Sequence, residues 1–163
     1  MLLCELTQPV NRKELAKALE PFLNFISSGN PVSRKQIANK LRKSLAMYGV
    51  GEVEINSSEH VDRGDMNMNA AYDPYDDENE LDPFYIELIF SPEDKTIEFD
   101  EQGVENIKDR VLDSLEHEMI HMKQYRNRNF VKQKKYKTNS QDPNVKKSKE
   151  YLGNDDEIGR AHV

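Results

Sequence analysis

The chain has 163 residues, the length of one modest domain, and with 36% apolar and 33% charged residues some of it is expected to be solvated loop. A formal charge of -7 gives no general attraction to nucleic acid, and the longest apolar runs, such as Leu88-Ile89-Phe90, fall far short of the roughly 20 residues of a membrane span. With Cys4 as its one cysteine the chain can form neither an internal disulfide nor a cysteine-paired zinc ribbon, and Met1 to Glu5 lacks the basic start and apolar stretch of a signal peptide; the expectation is an intracellular, cytoplasmic protein with no membrane partner.

Two helices are expected first. Asn11-Arg-Lys-Glu14 and Ser33-Arg-Lys-Gln36 have capping-box spacing, in which the cap side chain and a residue three later satisfy each other's free amides. Apolar residues follow at helical spacing: Leu15, Leu19, Phe22, Leu23 and Ile26, then Ile37, Leu41 and Leu45, with Gly29-Asn30-Pro31 between the helices and Gly49 after the second. Strand signals come next. Val53 and Ile55 alternate with polar residues, Tyr85 to Phe90 is rich in β-formers, and Thr96 to Phe99 follows a turn at Ser91-Pro-Glu-Asp94. Between the first two, Glu59 to Asp82 holds nine acids against Arg63, and its stretch Ala70-Ala-Tyr-Asp-Pro-Tyr75 reads as a further strand or a long loop.

The longest helix is expected from Val104 to about Asn127, where Val104, Ile107, Val111, Leu115, Met119 and Met122 recur every three or four residues and mark one buried face. Ile120 implies apolar contact on a flank, and hence a central rather than a peripheral helix. Beyond it Lys123 to Glu150 holds ten bases against Asp142 and Glu150, a basic stretch that reads as a solvated loop or as an attractor of acidic partners. Tyr151 to Val163 offers a short last helix capped by Asn154 or Asp155.

The long helix contains His117-Glu118-Met-Ile-His121. Residues four apart are neighbours on one helical face, so the two imidazoles can converge on one tetrahedral zinc. Glu118 is displaced by about 100° from His117 and sits beside such a metal, where a base acting on water belongs. The histidines lie opposite the Leu115 stripe, so the helix is expected to bury one side and present the other to a cleft. A catalytic zinc takes a third protein ligand. Glu157, 36 residues after His121, is the leading candidate, with Asp155, Asp156, His60 and His162 as alternatives. Tyr151, Tyr125 and His162 are candidate donors to a developing oxyanion.

The motif and the acidic cluster after it resemble the zincin metallopeptidases, of the gluzincin type and of minimal size, over roughly Val53 to His162. That resemblance implies an α+β fold in which a small mixed sheet accompanies a central active-site helix, two N-terminal helices and a short C-terminal ligand helix. It implies His117, His121 and Glu157 as zinc ligands, Glu118 as general base, and a peptide or protein substrate bound by β-addition along residues 84–90 or the acidic segment. In that layout one domain, 1–163, comprises a helical N-terminal region 1–50, the sheet and active-site helix 51–129, a basic loop 130–150 and the ligand helix 151–163. Two other readings stand beside a zinc peptidase. A nucleic-acid-binding, winged-helix-like protein would use Arg34, Lys35, Lys40, Arg42 and Lys43 of the second helix, and an inactive scaffold would use zinc only to pin its last helix.

Overall fold

The structure is a computed structural model that describes residues 11–131. Helix α1 spans Arg12–Ile26 and begins where the Asn11 side chain accepts the Glu14 amide; it buries Leu15, Leu19, Phe22 and Ile26 along one side. Helix α2, Arg34–Leu45, begins at Ser33 with both halves of the capping box in place, Ser33 Oγ accepting from Gln36 N at 3.1 Å and Gln36 Oε1 from Ser33 N at 3.0 Å. A short 3-10 turn then ends at Gly49, whose φ of 90° is the left-handed conformation that a glycine adopts without steric cost.

Strands β1 (Val32–Ser33) and β5 (Thr96–Ile97) form a two-residue antiparallel pair, so the expected strand at Thr96 to Phe99 is half as long as its composition suggests. The main sheet has the order β2-β4-β3, with β2 (Val50–Ser57) parallel to β4 (Phe84–Phe90) and β3 (Met66–Tyr72) antiparallel to it. The acidic segment therefore supplies a strand, β3, followed by a single turn of helix, α3 (Pro74–Glu78). Gly51 sits at a register irregularity in β2, where a Cβ would stand 2.9 Å from that of Asp82.

One face of the sheet is apolar and the other is open. Phe84, Ile86, Leu88 and Phe90 are buried, and Met66, Met68, Ala70, Tyr72 and Val53 register beside them, so these side chains share the covered face. α1, α2 and the long helix α4 (Glu101–Asn127) contribute to the same core, which makes the fold α+β with the first two helices as a cover for the sheet. On the open face Glu87 accepts from the amides of Asn56 and Asn69. Arg34 ties α2 to the turn after β4: it donates to the carbonyls of Asp94 and Ser91 and to Ser57 Oγ, and its guanidinium lies over the Phe90 ring. No helix among the described residues is long and apolar enough to cross a membrane.

Asp100 caps α4 by accepting the Gly103 amide, and the helix starts at Glu101, three residues ahead of the expected Val104. The helix then runs alongside β3. Arg110 near its beginning donates to the Met66 carbonyl at 2.7 Å, and Tyr125 near its end lies against Tyr72, with ring centroids 5.8 Å apart. At that far end Asp77 of α3 is wholly buried and accepts from Arg126 Nε at 2.9 Å, Arg126 Nη2 at 2.6 Å and the Tyr72 hydroxyl at 2.7 Å.

Arg126→Ala would leave the buried Asp77 carboxylate uncompensated and is expected to cost about 3–5 kcal/mol, read from urea unfolding; a loss below about 1 kcal/mol would show that the ion pair does not hold α3 on α4. Two phenols near this corner give an alkaline limit. Burial, then the hydrogen bond to Asp77, raises the Tyr72 pKa, while Tyr85 is pushed up to about 12 by its hydrogen bond to Asp76 and by burial. A folded pKa above the unfolded value of about 10 means stability that is whole below pH 10 and lost as pH rises toward 12. The urea midpoint is expected to fall between pH 10 and 11, and less steeply in Tyr72→Phe.

Candidate metal centre

His117, Glu118 and His121 come together on α4: their ligand atoms all lie within 4.8 Å of one another, and the two imidazole centroids are 5.4 Å apart. Two nitrogens bound to one tetrahedral metal ion stand about 3.3 Å apart, so small rotations of these side chains close the group on an ion. The helix brings them together by its pitch alone. What the fold adds is partial enclosure. Glu118 and His121 are 7% and 8% exposed, and the Nε2 atom of His117 is withdrawn from solvent. The expectation that the helix presents its histidine side to a cleft is met by His117, while His121 is covered. Ile120, expected to make apolar contact on a flank, is instead 37% exposed.

A cleft of about 630 Å³ lies between α4 and β3, lined by His117, Glu118, Asp113, Ser114 and Glu116 on the helix and by Met68, Asn69 and Ala70 on the strand. The axial correspondence follows from rise per residue. His117 is about 10 Å along α4 from Arg110, and three strand residues from Met66 also span about 10 Å, which sets His117 level with Asn69. β3 is an edge, since only β4 pairs with it among the described residues. The main-chain groups of Phe84 and Phe90 turn toward β2, where Phe84 donates to Gly49 and Phe90 accepts from Ser58. Their partners in register, Tyr72 and Met66, therefore turn outward, as do Met68 and Ala70 between them. Arg110 occupies the outward carbonyl of Met66, so Met68 and Ala70 are the positions that offer an amide and a carbonyl at the cleft.

This arrangement corrects one expectation. Residues 84–90 cannot serve as a docking edge, because β4 is the central strand with a neighbour on each side. The acidic segment holds the edge instead. Of the other candidate residues, His60 is exposed in the turn after β2 and does not join the group, and Tyr125 packs its ring between Tyr72 and the Arg128 guanidinium. Glu157, Asp155, Asp156, His162 and Tyr151 lie outside the described residues. Asp113 and Glu116 went unnoticed in the sequence, although Asp113 stands one helical turn before His117 and shares its face.

No protein-family model matches the chain, and no curated protein or solved structure resembles it closely enough to be counted a relative. The site's own chemistry is the remaining guide. Elemental analysis after reconstitution is expected to give one divalent metal per chain, lost in both His117→Ala and His121→Ala; metal retained at full occupancy in either variant would remove the group as a binding site.

Proposed function

We propose that this chain is a zinc-dependent peptidase of the gluzincin kind that hydrolyses peptide bonds in extended segments docked along β3. The observation that carries the reading is the cleft itself, across which an edge strand with outward main-chain groups at Met68 and Ala70 faces His117 and Glu118 of α4. Two imidazoles on successive turns suit zinc, which takes nitrogen and carboxylate ligands at tetrahedral geometry. His117 and His121 hold the ion, with Glu157 as the third ligand or Asp155, Asp156 or His162 in its place. Bound there, zinc supplies Lewis acidity that polarises a carbonyl and makes water acidic near neutral pH.

The chain's own groups do the rest. Met68 and Ala70 hold the substrate main chain in line, as an added strand, and so fix the carbonyl to be attacked. Glu118 takes the proton from water and returns it to the leaving amine, the two halves of general acid–base work by one carboxylate. Its burial keeps that carboxylate close to the imidazoles and shielded from bulk water. Tyr151 is the proposed donor to the oxyanion.

A second reading has one observation in its favour: the Glu118 carboxylate lies within the same 4.8 Å group and can ligate the ion directly, which would make the metal a structural pin. The nucleic-acid reading loses support from α2, where Arg34 is engaged with Asp94, Ser91, Ser57 and Phe90 and Lys40 lies over the Phe25 ring.

Glu118→Gln separates the first two readings. It is expected to keep its zinc while peptide hydrolysis, followed on a fluorogenic peptide library, drops by about 10²-fold or more. Unchanged hydrolysis would exclude Glu118 as the base. Loss of zinc in Glu118→Gln, with no turnover by the parent chain, would favour the structural pin.

A further inference from the structure

The cleft is one-sided in charge. Its α4 wall carries Asp113 and Glu116 beside Glu118, and none of its described lining residues is a lysine or arginine. The base that meets this wall comes from outside it: Arg12, in the first turn of α1, places Nη1 2.7 Å from Asp113 Oδ1 and 3.4 Å from Glu116 Oε1, with Nη2 3.6 Å from Asp109. Three carboxylates around one guanidinium leave an excess of negative charge. Arg12 and Asp113 also remain substantially in solvent, where an ion pair is weak and readily exchanged for another of the same kind.

The position of this wall relative to the metal group matches the repeat of an extended chain. Asp113 stands about 6 Å before His117 along α4, and two residues of a strand span about 6.6 Å. In a peptide laid along β3 the side chains alternate between the two faces of the sheet, and every second one turns toward α4. A peptide whose central bond lies at His117 therefore sets a side chain two residues away level with Asp113, and Glu116, about 1.5 Å before His117 along the helix, lies within the reach of a long cationic side chain there.

We infer that the cleft selects extended peptides carrying an arginine or lysine two residues from the bond held at the metal group, the cation being bound by Asp113 and Glu116 in the place Arg12 occupies. The inference rests on the cleft being a peptide site, but not on catalysis. Arginine is the better fit, since its planar fork can bridge two carboxylates where an ammonium acts as a point charge. Arg12 is then an internal competitor, and its guanidinium marks where the incoming one is held.

The test uses the full chain with Glu118→Gln, so that peptides stay whole, and fluorescein-labelled ten-residue peptides with arginine or glutamine two residues to either side of the central bond. Fluorescence anisotropy at low salt is expected to show an arginine peptide binding about tenfold tighter than its glutamine counterpart, an advantage that shrinks as ionic strength rises. Adding Asp113→Asn and Glu116→Gln should erase the advantage, and adding Arg12→Ala instead should enlarge it; circular dichroism confirms that each variant is folded. Equal binding of the arginine and glutamine peptides, an advantage that survives loss of both carboxylates, or no binding of any peptide would each overturn the inference. Selective binding without any hydrolysis by the parent chain would sink the peptidase and leave the arginine-selective cleft standing.

Discussion

The cleft depends on α4 being held at one axial position beneath β3, and contacts at opposite ends of the helix set that position. At the beginning Arg110 grips the Met66 carbonyl, and at the end the buried Asp77 carboxylate gathers Arg126 and the Tyr72 hydroxyl. The stretch from Arg110 to Arg126 is about 24 Å long and the strand from Met66 to Tyr72 about 20 Å, so the two elements match with the reach of the arginine side chains to spare. A shift of one residue along the helix would turn His117 away from Asn69 by about 100°. The His117, Glu118 and His121 group and the edge strand face each other only in this register.

Asp77 is also the residue that no reading of the sequence would pick out. It is one acid among nine between Glu59 and Asp82, and composition assigns the whole segment to solvent. Its burial is decided by Arg126, 49 residues away, through a long-range pairing that leaves no local pattern. Elements whose cause is local were legible: the caps at Asn11 and Ser33, the left-handed Gly49, the turn from Ser91 to Asp94, and the stripe of Ile107, Val111, Leu115 and Met122. The strand at Tyr85 to Phe90 was legible as a strand but not as a central one, because alternation reports which face a residue takes and says nothing of the strand's neighbours. The His117, Glu118 and His121 group was visible for the same reason as the caps, since helical spacing alone brings it together.

The uneven charge of the chain acquires a spatial meaning in this arrangement. The acids of the segment before β4 are divided among distinct tasks: Asp73 caps α3, Asp76 receives the Tyr85 hydroxyl, and Asp77 holds Arg126. On the sheet's open face Glu87 is bracketed by two asparagine amides, which satisfy its carboxylate there. Asp109, Asp113 and Glu116 of α4, in contrast, share the Arg12 guanidinium as their ion-pair partner among the described residues, and it is this surplus of carboxylates that underlies the inferred preference of the cleft.

Strand order has a consequence for how the molecule is assembled. β4 comes last of the three sheet strands in the chain yet lies between the other two, and β2 and β3 share no ladder. A nascent chain that has emerged only as far as Asp82 thus carries two sheet strands with no hydrogen bond to make to each other. The seven residues Phe84–Phe90 complete both ladders when they arrive, and they bring the four apolar side chains at the centre of the core with them. The edge that walls the cleft and the core that supports it are then products of a single event, late in the chain and dominated by contacts distant in sequence, which is the kind of topology that folds slowly.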